Sequence, residues 1–196
     1  IPVRENILKA RREGFTSLIL ALFAADDVWN DNPTETLVVS YKDDATLTFR
    51  KRYKTFITSC ALRRKGAEFG DILKDISLLD KISKEVFSID SSELELKHNK
   101  AHFYCGTASA RVGGRGGTVQ KLLFSEIAYY PDKKELRAKE IVEGTMRQVD
   151  VSSGWVFLES TANGDLTYHA RMWNESSRFK KRFYGWKEFY SSTDFE

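Results

Sequence analysis

The sequence predicts an α/β fold in which a mostly parallel sheet is covered by helices on both faces and carries a small β insertion. Three observations point there. Short apolar runs end in "ILK", "TLVVS", "KLLFS" and "WVFLES", and helical patterns alternate with them, as buried parallel strands require. The chain has 196 residues, 41% of them hydrophobic and 13% aromatic, which is enough for one complete core. Polar, chemically capable residues follow directly after those runs, and ligands of such folds bind at the carboxyl ends of the strands.

The elements are justified in order. Ile7 to Lys9 reads as the end of a first strand, and Thr16 to Ala25 as a helix. Thr36 to Ser40 is a short buried strand, and Asp44 to Ala61 an amphipathic helix. The middle of the chain breaks this rhythm with "VFSID", "ELELKH" and "AHFYCG", β-prone runs for which Asn99-Lys100 is a hairpin tip. After the glycine cluster "VGGRGG" comes "KLLFSE", a buried strand ending in a carboxylate. Pro131-Asp132 then starts a helix through "KKELRAKEIVEGTM". "GWVFLES" is another strand, "TANG" a turn, Leu166 to Asn174 a helix, and Arg182 to Trp186 a last strand.

Composition excludes several classes. A net charge of +3 is too small to identify nucleic acid as a partner, so charge placement has to carry that question. Cys60 and Cys105 have no C-x-x-C spacing, and His98, His102 and His169 do not complete a zinc set with them. Buried thiols in a reduced, intracellular protein and structural or surface histidines are expected. No apolar run approaches the roughly 20 residues of a membrane helix, and no signal-peptide layout opens the chain. A start at Ile1 suggests a piece of a longer protein.

The stretch "KARREGFTS", Lys9 to Ser17, allows two readings. The standard phosphate loop is G-x-x-x-x-G-K-[ST], whose N–H groups cradle phosphates while lysine neutralises them and the hydroxyl holds Mg²⁺. With Gly14 on the second glycine, Thr16 falls on the metal-binding hydroxyl, but Phe15 stands where lysine should be. Lys9 occupies the first glycine's place, from which its stem could reach the same phosphates. Otherwise Lys9, Arg11 and Arg12 are a solvated turn and Thr16 a helix cap. Downstream, "KLLFSEIAYYPD" ends its strand at Ser125-Glu126, where nucleotide hydrolases place an acid for magnesium and a glutamate for the attacking water. Ser125 replaces the usual aspartate, and Glu126 remains free to act on water. "VFLESTANG" ends in Ser160, Thr161 and Asn163, polar groups able to sense a γ-phosphate.

In order and spacing, these three stretches resemble the ATPase domain of the large terminase subunit, the DNA-packaging motor of tailed bacteriophages. The resemblance covers most of the chain, and "RFYGWKEFY" is similar to the aromatic segment that closes such domains. It implies a P-loop NTPase fold of the ASCE (RecA-like) type over residues 1–196, without the upstream adenine-binding segment or a nuclease domain. It implies Mg²⁺-dependent ATP hydrolysis that moves viral double-stranded DNA into a procapsid. Lys9 would take the lysine role, while Ala10, Arg11, Arg12, Glu13, Gly14, Phe15, Thr16 and Ser17 complete the nucleotide-binding loop. Arg11 or Arg12 would approach the γ-phosphate. Glu126 would be the catalytic carboxylate, Thr16, Ser125 and Glu126 the metal site, and Ser160, Thr161 and Asn163 the coupling motif. Portal protein, small terminase subunit and a homo-oligomeric ring in the host cytoplasm are the implied partners and setting, although the isolated domain could be a monomer.

For DNA, "ARVGGRGG" offers Arg111 and Arg115 on a glycine-rich loop, either as contacts to DNA or to a neighbouring subunit's ATP or as part of an ordinary flexible loop. "RKRYK" (Arg50 to Lys54) reads as the solvated face of a helix whose apolar partners are Leu47, Phe56 and Ile57; "RRK" and "RFKKRF" are further basic clusters. Trp155, Phe157, Trp173 and Trp186 are assigned to packing. A helicase-type translocase and a catalytically silent domain of the same fold are the alternative readings.

Overall fold

The computed structural model describes residues 1–66, 86–89, 93–108, 117–133, 136–175, 178–185 and 187. Its order is β1 (Val3–Lys9), α1 (Phe15–Trp29), β2 (Glu35–Ser40), α2 (Asp43–Arg64), β3 (Phe87–Ile89), β4 (Glu93–Leu96) and β5 (His102–Thr107). Then follow β6 (Lys121–Ser125), a 3₁₀ turn (Ile127–Tyr129), the two-residue strands β7 (Asp132–Lys133) and β8 (Leu136–Arg137), α3 (Ala138–Met146), β9 (Trp155–Ser160), α4 (Tyr168–Glu175) and β10 (Lys180–Tyr184). Arg111, Arg115 and Trp186 lie outside the described residues.

The main sheet has eight strands in the order β10-β1-β9-β6-β2-β5-β4-β3. β10 through β5 pair in parallel, and β4 and β3 join antiparallel. Successive side chains of a strand point to opposite faces, and both faces here are apolar. Ile7, Val38, Leu123 and Phe103 pack with Ile19, Leu20, Phe23 of α1 and Tyr53, Ile57 of α2. Leu37, Val39, Leu122, Phe124, Val156 and Leu158 pack on the other side with Ala138 and Val142 of α3 and with Phe179. Each such buried side chain contributes about 1.5–3 kcal/mol, so the alternation holds the sheet between two helical layers.

Several boundaries differ from expectation, for physical reasons. α1 runs four residues past Ala25 because Asp26 and Asp27 meet the buried amine of Lys121, one oxygen of Asp26 at 2.5 Å. Thr34, Thr36 and Tyr53 also donate to Asp27. The helix expected from Pro131 starts only at Ala138: the charged "DKKELR" has no apolar stripe to bury, and β7 and β8 pair as a short antiparallel ladder. From Ala138 the buried positions Ala138, Val142 and Thr145 repeat at helical spacing. The last strand lies at Lys180–Tyr184, parallel to β1, rather than at Arg182 to Trp186. Lys100, at φ 60, closes the β4–β5 hairpin as expected.

In the basic clusters Arg64 and Arg182 have structural partners, while Lys51, Arg52, Lys180 and Lys181 are exposed. Leu47 is exposed rather than packed, and α2 instead buries Phe49, Tyr53 and Ile57, with the Tyr53 ring stacked on Phe103 at 3.8 Å. Arg64 donates to the Val28 carbonyl and to Asp31, and Arg182 pairs with Glu5 at 2.9 Å. Trp155 and Phe157 pack toward Phe23, and Trp173 toward His169. Cys60 is half-buried and Cys105 buried; both are free thiols, and burial pushes Cys105 up to about 12. Among the described residues no helix is long and apolar enough to cross a membrane.

Candidate active site

Lys9 ends β1 on the face that meets α1, two residues after Ile7 and one side chain nearer the carboxyl end of the sheet. Arg12 at φ 64 and Gly14 at φ 73 then turn the chain into α1, whose N-cap is Gly14. The left-handed turn suits glycine and leaves the first N–H groups of α1 facing outward, a ready anion site. No acidic side chain occupies that first turn. Phe15, at the usual lysine position, packs against Tyr184 of β10 with ring centroids 4.6 Å apart. Thr16 does not cap the helix; its hydroxyl donates to Glu159 Oε1 at 2.7 Å.

Lys9 Nζ lies 3.0 Å from Glu126 Oε1 and 3.2 Å from Glu159 Oε2. Burial alone would lower its pKa, but the two facing carboxylates outweigh it and raise the amine above its ordinary value. Glu126 stands just past β6 at φ 53, a left-handed conformation unusual for its residue type. Its Oε2 accepts from Thr161 N at 3.1 Å and Thr161 Oγ1 at 3.2 Å, with Ser160 Oγ at 3.4 Å. Asn163 Nδ2 donates to the Ala128 carbonyl and Ser160 Oγ accepts from Ala128 N, so the end of β9 is stitched to the turn after β6. Thr161 Oγ1 also lies 3.2 Å from the Tyr129 hydroxyl, and this contact, followed by the bond from Arg11, lowers the phenol's pKa. The same Tyr129 contact raises Arg11.

These groups face a cleft of about 520 Å³ lined by Arg11, Arg12, Thr16, Ser125, Glu126 and Thr161 on one side and by Tyr41, Lys42 and Arg52 on another. The structure therefore brings Arg11, Arg12, Thr16, Ser125, Glu126 and Thr161 together at the cleft; Lys9 and Ser160 reach Glu126 from outside its lining, and Asn163 is exposed and lines a separate pocket. Tyr41, Lys42 and Tyr129 line the cleft and escape the sequence reading, and two further contributors are charged. Arg52, inside the cluster read as a solvated face, donates to Ser17 Oγ at 3.0 Å and reaches the cleft. Glu159 is fully buried and sits beside Ser125 in the β6–β9 register. Its signal was available: alternation along "WVFLES" puts Glu159 on the face of Trp155 and Phe157, and a charge there needs partners.

No family model matches the chain, and no curated protein sequence matches it. Solved structures do. The ATPase domain of the Thermus phage P74-26 large terminase matches at TM-score 0.55 and 14% identity, over 99% of this chain and 84% of that one. The fold is that of a terminase ATPase domain. The large terminase of a thermophilic bacteriophage, in complex with ATP-gamma-S, matches at TM-score 0.57 and 12% identity over 98% of this chain. The HK97 bacteriophage large terminase matches at 0.55 and 14% over 88%. This chain spans 42% of the thermophilic phage's protein and 32% of the HK97 protein. The shared architecture is a P-loop NTPase fold, with β9 lying between β1 and β6.

Proposed function

We propose that residues 1–196 are the ATPase motor domain of such a terminase, hydrolysing ATP to translocate viral double-stranded DNA into a procapsid. The observation that carries this reading is the convergence of Thr16 from α1 and Glu126 after β6 on one cleft at the N-terminus of α1, with the buried amine of Lys9 from β1 reaching Glu126 from beneath its lining at 3.0 Å. Lys9, displaced to the front of the loop, takes the place of the lysine that Phe15 excludes. Its amine neutralises phosphate oxygens, and Arg11 and Arg12 approach the γ-phosphate from the mouth of the cleft. Glu126 orients the attacking water and accepts its proton, held in position by Thr161.

The residues fit Mg²⁺. Thr16 and Ser125 supply hydroxyl oxygens around a buried carboxylate, and hard oxygen donors without thiol or imidazole suit that ion. Bound there, Mg²⁺ would offset the negative charge of the phosphate oxygens. Ser160, Thr161 and Asn163 connect Glu126 to β9, which would make them the coupling motif between hydrolysis and movement on DNA. Arg111 and Arg115 are proposed for DNA or a neighbouring subunit's nucleotide, within a ring assembled on a portal with the small terminase subunit.

The test is Mg²⁺-dependent ATP hydrolysis beside Lys9→Ala and Glu126→Ala, with nucleotide binding followed in parallel. Wild type should turn over, both variants should lose about 10²-fold or more, and Glu126→Ala should still bind ATP. A folded wild type that neither binds nor hydrolyses ATP would sink the proposal.

A further inference from the structure

We infer that Glu159 is the carboxylate of this site's divalent-cation centre, supplying from β9 the charge that Ser125 leaves missing at the end of β6. The inference rests on the ATPase reading and names a residue within that site. Ser125 and Glu159 are register partners on the face that meets α1. Glu159 Oε1 accepts from Ser125 Oγ at 2.6 Å and from Thr16 Oγ1 at 2.7 Å, so both hydroxyls expected at the metal converge on one oxygen.

The second oxygen is the independent sign. Glu159 is fully buried, yet Oε2 receives no hydrogen bond; it lies 3.2 Å from Lys9 Nζ without the alignment of one. A carboxylate taken wholly out of water costs several kcal/mol and is retained where something compensates it. Lys9 does not suffice, because its single charge is shared with Glu126. Arg11 also acts on Glu126, but at Glu159 the cation is Lys9, held in common with Glu126 and set beside two neutral hydroxyls, which is a setting for a divalent cation. Glu126 is the poorer metal ligand: three donors from Ser160 and Thr161 hold its Oε2, while the Thr16 hydroxyl is committed to Glu159. Among the described residues no group of three or more His, Cys, Asp or Glu forms a metal cluster, so hydroxyl and phosphate oxygens would complete the set.

The experiment is a titration of fluorescent ADP against the full chain at increasing Mg²⁺, from EDTA upward, with Mn²⁺ paramagnetic resonance as a second readout. Glu159→Gln keeps the shape and should keep metal-free ADP affinity, while its Mg²⁺ half-saturation rises about 10- to 100-fold. Glu126→Gln should shift that half-saturation by much less than Glu159→Gln does, acting only through the Lys9 they share, because it is assigned to water and not to the metal. Ser125→Asp combined with Glu159→Gln returns the carboxylate to β6 and should restore the Mg²⁺ response. That double variant also decides the matter if Glu159→Gln alone does not fold: bound ADP with no Mg²⁺ response would overturn the inference. So would an unshifted half-saturation in folded Glu159→Gln, or an equal shift in Glu126→Gln. A wild type that binds no ADP at any Mg²⁺ concentration overturns the ATPase reading, and this inference with it.

Discussion

His169 lies beneath the site, 3% exposed, with Nε2 2.8 Å from Asn6 Oδ1. Burial lowers its pKa from 6.5 to about 4, with the charge of Glu126 opposing only in part. The unfolded chain therefore binds the proton first as pH falls. Stability is complete above pH 6.5 and declines toward pH 4, by about 3 kcal/mol in total. Urea unfolding at pH 7 and pH 4.5 should show a smaller fall for His169→Gln than for wild type; parallel falls would refute this. At this scale the sequence revealed identities but not neighbours. Phe15 read as a defect in a phosphate loop, because nothing in "GFTS" announces the Tyr184 ring that accommodates it. Alternation places Glu159 on a buried face, but its partners, Thr16 and Ser125, come from distant parts of the chain.

Among elements, a buried polar knot lies at the end of α1 away from the cleft. Asp27, fully buried, takes bonds from Thr34 and Thr36 of the β2 approach, Tyr53 of α2 and Lys121 of β6. Lys121→Met removes the cation and leaves Asp27 buried without a counter-charge, which should cost about 3–5 kcal/mol. For a chain of this size that is a fall in Tm of roughly 10 °C. Calorimetry finding Tm unchanged would mean the hydroxyl donors alone suffice. The same knot explains why α1 was read too short, since two acids at a helix end look like a solvated terminus until Lys121 is placed under them. Strands β2, β6 and β9 were legible because each is a continuous or near-continuous apolar run. The start of α3 was not, because Pro131 is a helix-start signal by local chemistry and a turn before a ladder in context.

At the scale of the whole molecule, the α/β alternation made a parallel sheet legible but left strand order open, since many right-handed crossovers satisfy the same local pattern. The order found interposes β9 between β1 and β6, and so brings Glu159 and Thr161 to Lys9 and Glu126. On the motor reading, a neighbouring subunit would complete the cleft that Arg52 and Lys42 help to line. If Arg111 and Arg115 act across that boundary, two defects on different subunits should complement. One preparation carries Arg111→Ala with Arg115→Ala, the other Glu126→Gln, and each alone should be nearly inactive. Random mixing in assembled rings pairs an intact Glu126 with a neighbour's intact arginines at about one boundary in four, so ATPase activity should return to on the order of a quarter of wild type. Absence of any recovery would assign the arginines to their own subunit's site or to DNA, and DNA-stimulated turnover by the arginine variant, measured in the same rings, separates those two roles.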